Sequence, residues 1–390
     1  MNHVEALCRL IAFDTSTVDA RGCHAAFDFL QEAFQSTGCQ TELVHIPRES
    51  ARGLLGRAAL LAHRRAMGRP RLIVYGHIDV VPAQGWNAYA PRRERGAIFG
   101  RGASDMKGGI AALLGALFAT LGRDLKYDIT VVLTMDEETH QLAQLQYLTD
   151  WLDLGQRPHV LSLDAGFGYV TVAILGLLQM DVTVEGQSVH SALAHLGTNA
   201  VEAATPVLQA LLQLKERVTQ RHSTVPAPPA SGLTFIEARL NINQIHGGIA
   251  RNVVPDTCTL TIDRRLLPEE SVAVARAEIL DALQAAHGPR WHVSHEFYIP
   301  SVSPCADPAA AELAQVIRSV TGASGLYGDM LSGELPYAAR TYWGADAFAT
   351  GVIRPENRIH GVDEFVLESD LDQLAVVLAR FFSGDHKEAA

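Results

Sequence analysis

Three short apolar segments, separated by a helical pattern, constrain the fold most. They are "RLIVYG" (71–76), "DITVVLTM" (128–135) and "HVLSLD" (159–164), each with the length and composition of a buried strand. Between the first two, "KGGIAALLGALFATLG" (107–122) is typical of a buried helix. Strands that alternate with helices predict a layered α/β domain with a largely parallel sheet. Such sheets bind ligands beyond the carboxyl ends of their strands.

From residue 176 to residue 298 the order of elements changes. The segment predicts strand, helix, strand, strand, helix and strand, which is the split βαβ, ferredoxin-like motif. The six stretches are "LLQMDVTVEG", "NAVEAATPVLQALLQLKERV", "LTFIEARLNINQI", "CTLTIDRRL", "EESVAVARAEILDALQAAHG" and "RWHVSHEFYI". The Pro-rich "STVPAPPASG" predicts a loop. We therefore expect one α/β domain from residues 1–175 and 299–390, interrupted by a small α+β domain at 176–298.

Composition excludes several classes of protein. A chain of 390 residues is long enough for two domains. It has no apolar run of 18 or more residues, so we expect no membrane partner. A net charge of -11 without a basic cluster argues against nucleic acid as a partner.

Cysteine usage and the first residues indicate a reducing compartment. The cysteines are widely spaced, without a C-x-x-C pair, which argues against a disulfide framework and a thiolate zinc site. They are Cys8, Cys23, Cys39, Cys258 and Cys305. The stretch "MNHVEALCRLIAFDTS" lacks the features of a secretory signal. We expect a cytoplasmic protein.

Each predicted strand of the α/β domain is followed by potential ligands. His77 and Asp79 follow the first strand, Glu137 and Glu138 the second, and Asp164 ends the third. In an extended segment, residues two apart point to the same side. The pair in "YGHIDVVP" can therefore act at one point in space.

Two further candidates lie beside glycine turns: Asp105 in "GRGASDMKGG" and His360 in "RIHGVDEF". Imidazoles with several carboxylates suit zinc, cobalt or manganese. Two ions roughly 3.5 to 4 Å apart that share one carboxylate would use these residues well. The predicted chemistry is hydrolysis, because divalent ions acidify water and a free carboxylate can pass its proton to a leaving amine.

Six motifs, in order and over nearly the whole chain, resemble the co-catalytic zinc amidohydrolase family. They are "GHIDVV", "GRGASDMKGG", "DEE", "VEGQSVHSALAHLGTNAVE", "GGIARNVVPDTCTLTIDRR" and "HGVDEFV". That family includes acetylornithine deacetylase, succinyl-diaminopimelate desuccinylase, aminoacylases and glutamate carboxypeptidases. The resemblance implies a three-layer metallopeptidase domain with an inserted lid and dimerisation domain, a homodimer, and hydrolysis of an amide bond in a small N-acyl compound.

The resemblance also implies a ligand set for two divalent ions, most simply zinc. Asp105 would be the bridging carboxylate. His77 and Asp164 would complete one site, and Glu138 and His360 the other.

Catalytic roles follow from the same resemblance. Glu137 would be the general base and acid. Asp79 would orient His77, which makes physical sense because a ligating imidazole usually donates its other N–H to a carboxylate.

The inserted domain would contribute to the reaction as well. His190 in "SVHSALAH" would reach an active site across a dimer interface and stabilise the oxyanion. Asn252 in "RNVVP" and Arg264 in "DRR" match positions that the family uses near the substrate. His195 is interpreted as structural.

Three segments depart from the family pattern. "DEETHQLAQ" lacks the usual glycines, and "AILGLLQ" is apolar where desuccinylases carry an arginine, which argues against a succinyl substrate. "LSGELPYAARTYWG" replaces the Gly-Gly-Thr/Ser-Asp-Ala-Arg segment, so the anchor for a substrate carboxylate is open. Arg340, Arg354 and Arg358 are the alternatives.

The leading hypothesis is a dimetal hydrolase that releases an amine or amino acid, with a deacylase favoured over a carboxypeptidase or dipeptidase. A non-catalytic relative that binds a metal or metabolite is the alternative, and the presence of Glu137 and His190 counts against it. The inserted unit disfavours a zinc aminopeptidase.

Overall fold

The computed structural model describes residues 2–16, 20–286 and 290–384. The chain divides into two compact units: Met1–Val172, Cys305–Tyr327 and Glu334–Ala390 form the first, and Ala173–Pro304 and Gly328–Gly333 the second. The predicted boundaries differ from these by a few residues. The return of 328–333 to the second unit has no counterpart in the sequence prediction.

The strands, in chain order, are β1 (Gln40–His45), β2 (Ala58–Arg64), β3 (Arg71–His77), β4 (Arg92–Glu94), β5 (Ala97–Phe99), β6 (Asp128–Thr134), β7 (His159–Ser162), β8 (Val170–Ala173), β9 (Gly176–Glu185), β10 (Val189–His190), β11 (His222–Pro226), β12 (Phe235–Glu237), β13 (Arg239–Gly247), β14 (Val253–Val254), β15 (Thr257–Leu266), β16 (Trp291–Ile299), β17 (Leu326–Gly328), β18 (Ala347–Ala349) and β19 (Phe365–Leu367). The α-helices are α1 (His3–Ile11), α2 (Ala20–Ser36), α3 (Lys107–Ala119), α4 (Leu142–Tyr147), α5 (Ala200–Val218), α6 (Val272–Ala285), α7 (Pro308–Thr321), α8 (Leu335–Tyr342) and α9 (Glu368–Ser383).

The large sheet has the order β1-β2-β6-β3-β7-β18-β8-β17. Its centre, β6-β3-β7-β18, is parallel, while β1 and β2 at one side and β8 at the other are antiparallel to their neighbours. The predicted α/β fold with a largely parallel sheet is confirmed. The three predicted strands are the adjacent β6, β3 and β7.

Helices pack on this sheet because each presents an apolar side. Helix α3 contacts α1 and α9, and its first ten residues are almost all buried. Helices α4 and α8 contact each other. Leu145 and Leu335 of these two helices join a core with Ile73 and Val132 of the sheet.

The second unit has a four-stranded sheet of order β13-β15-β9-β16, in which all neighbours are antiparallel. Helices α5 and α6 contact each other and this sheet. The order along the chain, β9-α5-β13-β15-α6-β16, is the predicted split βαβ arrangement. Residues 287 and 288, where the second helix was expected to end, lie outside the described residues.

Two local predictions in this unit are wrong. The expected loop at 223–232 contains most of β11, which pairs with β12. The expected single strand at 233–245 is divided into β12 and β13. Burial explains the extra strand, because Ser223 and Val225 alternate with exposed neighbours in β11 and give it one inward side despite the prolines.

Within residues 2–16, 20–286 and 290–384, no helix has both the length and the apolar character needed to cross a bilayer.

Candidate dimetal centre

The carboxyl ends of three strands bring the predicted ligands to one edge of the large sheet. Strand β3 runs parallel to both β6 and β7, so the three strands end on the same side. His77 is the last residue of β3. Glu137 and Glu138 begin the 3₁₀ turn that follows β6, and Asp164 lies two residues beyond β7.

Asp105, in the turn between β5 and α3, lies between two imidazoles. Its Oδ1 is 3.5 Å from Nε2 of His77, and its Oδ2 is 3.0 Å from Nε2 of His360. The same His77 nitrogen is 3.7 Å from Oδ2 of Asp164, and the same His360 nitrogen is 3.4 Å from Oε2 of Glu138. Asp105 therefore belongs to two ligand triads, within each of which the donor atoms lie within 4.8 Å of one another.

Buried polar atoms at this centre fit a pair of cations. Nε2 of His77 and Oε1 of Glu138 are buried and have no hydrogen-bond partner among the described residues. A buried polar atom without a partner costs about 1–3 kcal/mol. Nitrogen and oxygen donors without a thiolate suit zinc, cobalt or manganese. The two triads can hold two divalent ions that share Asp105.

The pKa values of the imidazoles reflect the surrounding carboxylates. Burial opposes the charged form of His77, but Asp105 and Asp164 outweigh it and raise the pKa of this histidine well above its usual range. Asp105 and Glu138 raise the pKa of His360 to about 10. Cations and protons therefore compete for the same two nitrogens.

Glu137 belongs to neither triad. Burial raises its pKa well above the usual range, and the charges of Asp164 and Glu138 add to this while His77 opposes it. A carboxyl group with a raised proton affinity, beside metal ligands but not among them, is suited to accept a proton and return it.

Asp79 connects the two triads. It is fully buried, with Oδ1 3.4 Å from Nδ1 of His77, while Oδ2 accepts a hydrogen bond of 3.0 Å from the amide of Glu138. Nδ1 of His77 is also 3.1 Å from the backbone carbonyl of Asp79. Asp79 thus holds the ring of His77 through its carbonyl, and the backbone of Glu138 through its carboxylate.

Glu364, which lies inside "HGVDEFV", is not among the site residues predicted from the sequence. It is fully buried and paired with Arg101 at 2.7 Å. The pair lies directly behind the turn that carries Asp105, since Glu364 also accepts the amide of Asp105. A single glutamate gives no local sequence signal for such a role.

The second unit places His190 and Asn252 on neighbouring segments. His190 ends the short strand β10 and is paired in register with Val253 of β14. The amide of Ser191 donates to the carbonyl of Asn252 at 2.9 Å. His190 is exposed, and its Nδ1 accepts a hydrogen bond from the amide of Ala192.

Arg264 is buried inside the second unit, with 1 % of its surface exposed. Its Nη2 is 2.5 Å from Oε1 of Glu270, and its Nη1 donates to the carbonyl of Arg265. This arrangement argues against the predicted substrate contact, because the guanidinium is already neutralised by an internal carboxylate.

Two of the three alternative carboxylate anchors are also paired internally. Arg340 lies 2.6 Å from Asp346, and Arg354 lies 2.6 Å from Asp370. Arg358 is exposed, with a positive φ of 57°, and the described residues provide no ion pair for it. Of the three, Arg358 is the one whose charge is available.

Two of the segments that depart from the family pattern contact each other near the centre. Glu334 of "LSGELPYAARTYWG" accepts a hydrogen bond of 2.5 Å from the amide of Gln141 in "DEETHQLAQ". The Gln141 side chain donates to the hydroxyl of Tyr75.

Arg52, from the loop between β1 and β2, donates to the carbonyl of Thr139. Arg52 is an exposed cation beside the glutamate turn that the sequence did not reveal.

The fold and the two triads define a metal-dependent amidohydrolase. The family model described as Peptidase family M20/M25/M40 matches residues 73–383, and the chain belongs to that family. It is 29 % identical over 393 residues to a succinyl-diaminopimelate desuccinylase of Xylella fastidiosa (strain M12), covering 94 % of each chain.

Solved structures share the whole fold. An M20 family metallo-carboxypeptidase from Sulfolobus solfataricus superposes with a TM-score of 0.78 at 15 % identity over 98 % of each chain. A dinuclear metal binding peptidase of the M20 family from Bacillus subtilis superposes with a TM-score of 0.64 at 12 % identity, covering 97 % of this chain and 96 % of the other. The family resemblance, the fold class and the hydrolase class are confirmed.

Proposed function

We propose that this enzyme hydrolyses the amide bond of an N-acyl amino acid or a related small N-acyl compound, with two divalent ions, most simply zinc. The proposal rests on one observation: each carboxylate oxygen of Asp105 faces a different imidazole, that of His77 or that of His360. The relative named as a desuccinylase supports the N-acyl substrate class. Cobalt and manganese suit the same donor atoms.

In this proposal His77, Asp105 and Asp164 hold one ion, while Asp105, Glu138 and His360 hold the other. When bound, such a pair of ions supplies Lewis-acid polarisation of the scissile carbonyl and makes water more acidic.

The protein side chains would then move the protons. Glu137 accepts a proton from the attacking water and returns it to the leaving amine, which its place beside both triads allows. His190 donates to the oxyanion that develops on the substrate carbonyl. Asp79 holds the imidazole of His77 in one orientation.

The acyl group is the open part of the proposal. The name of the relative points to N-succinyl substrates. The segment 173–179 argues against an N-succinyl substrate, because it has buried leucines (Leu175, Leu177 and Leu178) and lacks the arginine expected in a desuccinylase. An N-acetyl substrate is therefore the competing choice.

The test uses chelated protein reconstituted with zinc, cobalt or manganese and measures free amine from N-acetyl, N-succinyl and dipeptide substrates. We expect metal-dependent turnover of one N-acyl class. Glu137→Gln should bind the same number of ions but lose turnover. If the wild-type protein binds two ions but turns over no substrate of the panel, the non-catalytic alternative is favoured. A preference for dipeptides would favour a peptidase.

A homodimer is proposed from the second unit. Strand β13 is an edge strand, and Ile245 on it is 52 % exposed. Val201 of α5 lies against Gly247 of the same strand and is 43 % exposed, so the apolar surface is continuous. Exposed edge strands with apolar side chains favour pairing with another chain.

Light scattering tests the dimer. Mixing His190→Ala with Glu137→Gln tests whether His190 serves the site of the partner copy. Recovered activity is expected in the mixture after subunit exchange, and no recovery with confirmed mixed dimers would refute the shared site. The cytoplasmic location stays a prediction.

A further inference from the structure

Glu364 accepts hydrogen bonds from one guanidinium and three backbone amides. Its donors are Nη1 of Arg101 at 2.7 Å, the amide of Gly102 at 3.1 Å, the amide of Ser104 at 3.0 Å and the amide of Asp105 at 3.2 Å. The carboxylate is fully buried, so water does not compete for these donors. Glu364 therefore fixes the backbone that presents Asp105.

Arg101 extends this contact to the second histidine. It is 3 % exposed, and its Nη2 donates to the carbonyl of His360 at 3.1 Å. A single carboxylate thus holds the backbone of Asp105 directly and that of His360 through Arg101. The side chains of these two residues meet at 3.0 Å, within the triad that also contains Glu138.

The segments held in this way have no regular structure that could fix them. His360 and Asp363 have positive φ values of 61° and 57°. Non-glycine residues rarely adopt this conformation, and it persists only where the surroundings determine it. Helix and strand hydrogen bonds cannot supply that restraint here, whereas the Glu364 carboxylate and Arg101 can.

We propose that Glu364, acting with Arg101, is a positioning residue that sets the gap between Asp105 and His360 and so determines the affinity for the ion bound by the His360 triad. This inference rests on the proposed pair of ions. The other triad also contains Asp105, but its histidine, His77, is the last residue of a central strand and is held by the carbonyl of Asp79. That triad therefore depends on Glu364 through one ligand instead of two.

The experiment titrates Zn²⁺ into chelated full-length protein by calorimetry, with circular dichroism to show that each variant is folded. Glu364→Gln keeps the size of the side chain but removes the charge opposite Arg101. It also replaces one accepting oxygen by an NH₂ group, which cannot accept a hydrogen bond from the N–H groups that face it. We expect the affinity of one ion to fall by about 10–100-fold, as is usual when supports of metal ligands are lost. The affinity of the other ion should change by much less.

Two further variants test the same contact. Arg101→Lys retains a positive charge but cannot reach Glu364 and the His360 carbonyl together. It should lower the affinity for the same ion, and it replaces Glu364→Gln as the test if that variant fails to fold. Asp346→Asn is the matched control, because it breaks another ion pair of the first unit, with Arg340, outside both triads. It should leave both affinities unchanged.

Equal weakening of both ions in Glu364→Gln, or no weakening in a folded variant, would overturn the positioning role and leave the proposed function intact. A wild-type titration that finds fewer than two ions would overturn both proposals.

Discussion

Replacing Asp79 by Asn should weaken metal binding without unfolding the protein. Asn has nearly the same shape, and its carbonyl oxygen can still accept the amide of Glu138. It cannot supply the charge beside the His77 imidazole. The amide of Glu138 would then donate to a neutral oxygen instead of a carboxylate. A hydrogen bond to a charged group contributes about 1.5–3 kcal/mol and a neutral one about 0.5–1.5 kcal/mol. The expected loss is therefore about 1.5 kcal/mol, or roughly tenfold in affinity, at the lower end of the 10–100-fold usual for such supporting residues.

The assay is competition for Zn²⁺ between the protein and a chromophoric chelator. Asp128→Asn is the matched control, since Asp128 is also buried and ion-paired, with Arg71, but lies at the opposite end of β6 from the glutamate turn. It should lower the free energy of unfolding and leave metal affinity unchanged. Unchanged affinity in folded Asp79→Asn, or the same loss in the control, would refute the role given to Asp79.

Arg52→Ala and Arg358→Ala should each be compared on an N-acyl amino acid and on its carboxamide. The variant that removes the carboxylate anchor should raise KM about 10–100-fold for the acid alone, and no acid-specific change in either would exclude both residues. Glu270→Gln should destabilise the protein at pH 7. Burial disfavours the charged form of Glu270, but the Leu267 amide, Arg264 and Arg221 outweigh it and hold its pKa below the usual range. The stabilisation is therefore present above about pH 4.3 and lost as pH falls through the lower folded value, so denaturation curves of variant and wild type should converge in acid. Ile245→Asp should yield a monomer by light scattering, and an unchanged dimer would place the interface elsewhere.

The meeting of the candidate ligands at one edge of the sheet was predictable because its signals are local. Polar candidates stand at or just after the ends of the parallel strands β3, β6 and β7, and glycine turns mark the positions of Asp105 and His360. Parallel pairing alone then brings His77, Glu138 and Asp164 to one edge.

Other features depend on partners far away in the chain, and no local pattern reports them. Glu364 acts on residues more than 250 positions earlier in the sequence. Arg264 resembled a substrate contact because nothing in "DRR" shows that Glu270 will neutralise it. The prolines of "STVPAPPASG" favour a loop, so β11 was not predicted, although alternate burial lets this strand pair with β12.

Glu334 has a consequence for engineering this enzyme. Only 7 % of its surface is exposed, and the amides of Gln141 and Leu142 both donate to it. A family-type loop grafted after Glu138 would displace these amides and leave a buried carboxylate short of donors, at a cost of about 1–3 kcal/mol. The segments that carry Gln141 and Glu334 should therefore be exchanged together. A chimera that exchanges either alone should express poorly, whereas one that exchanges both keeps the buried pairing complete.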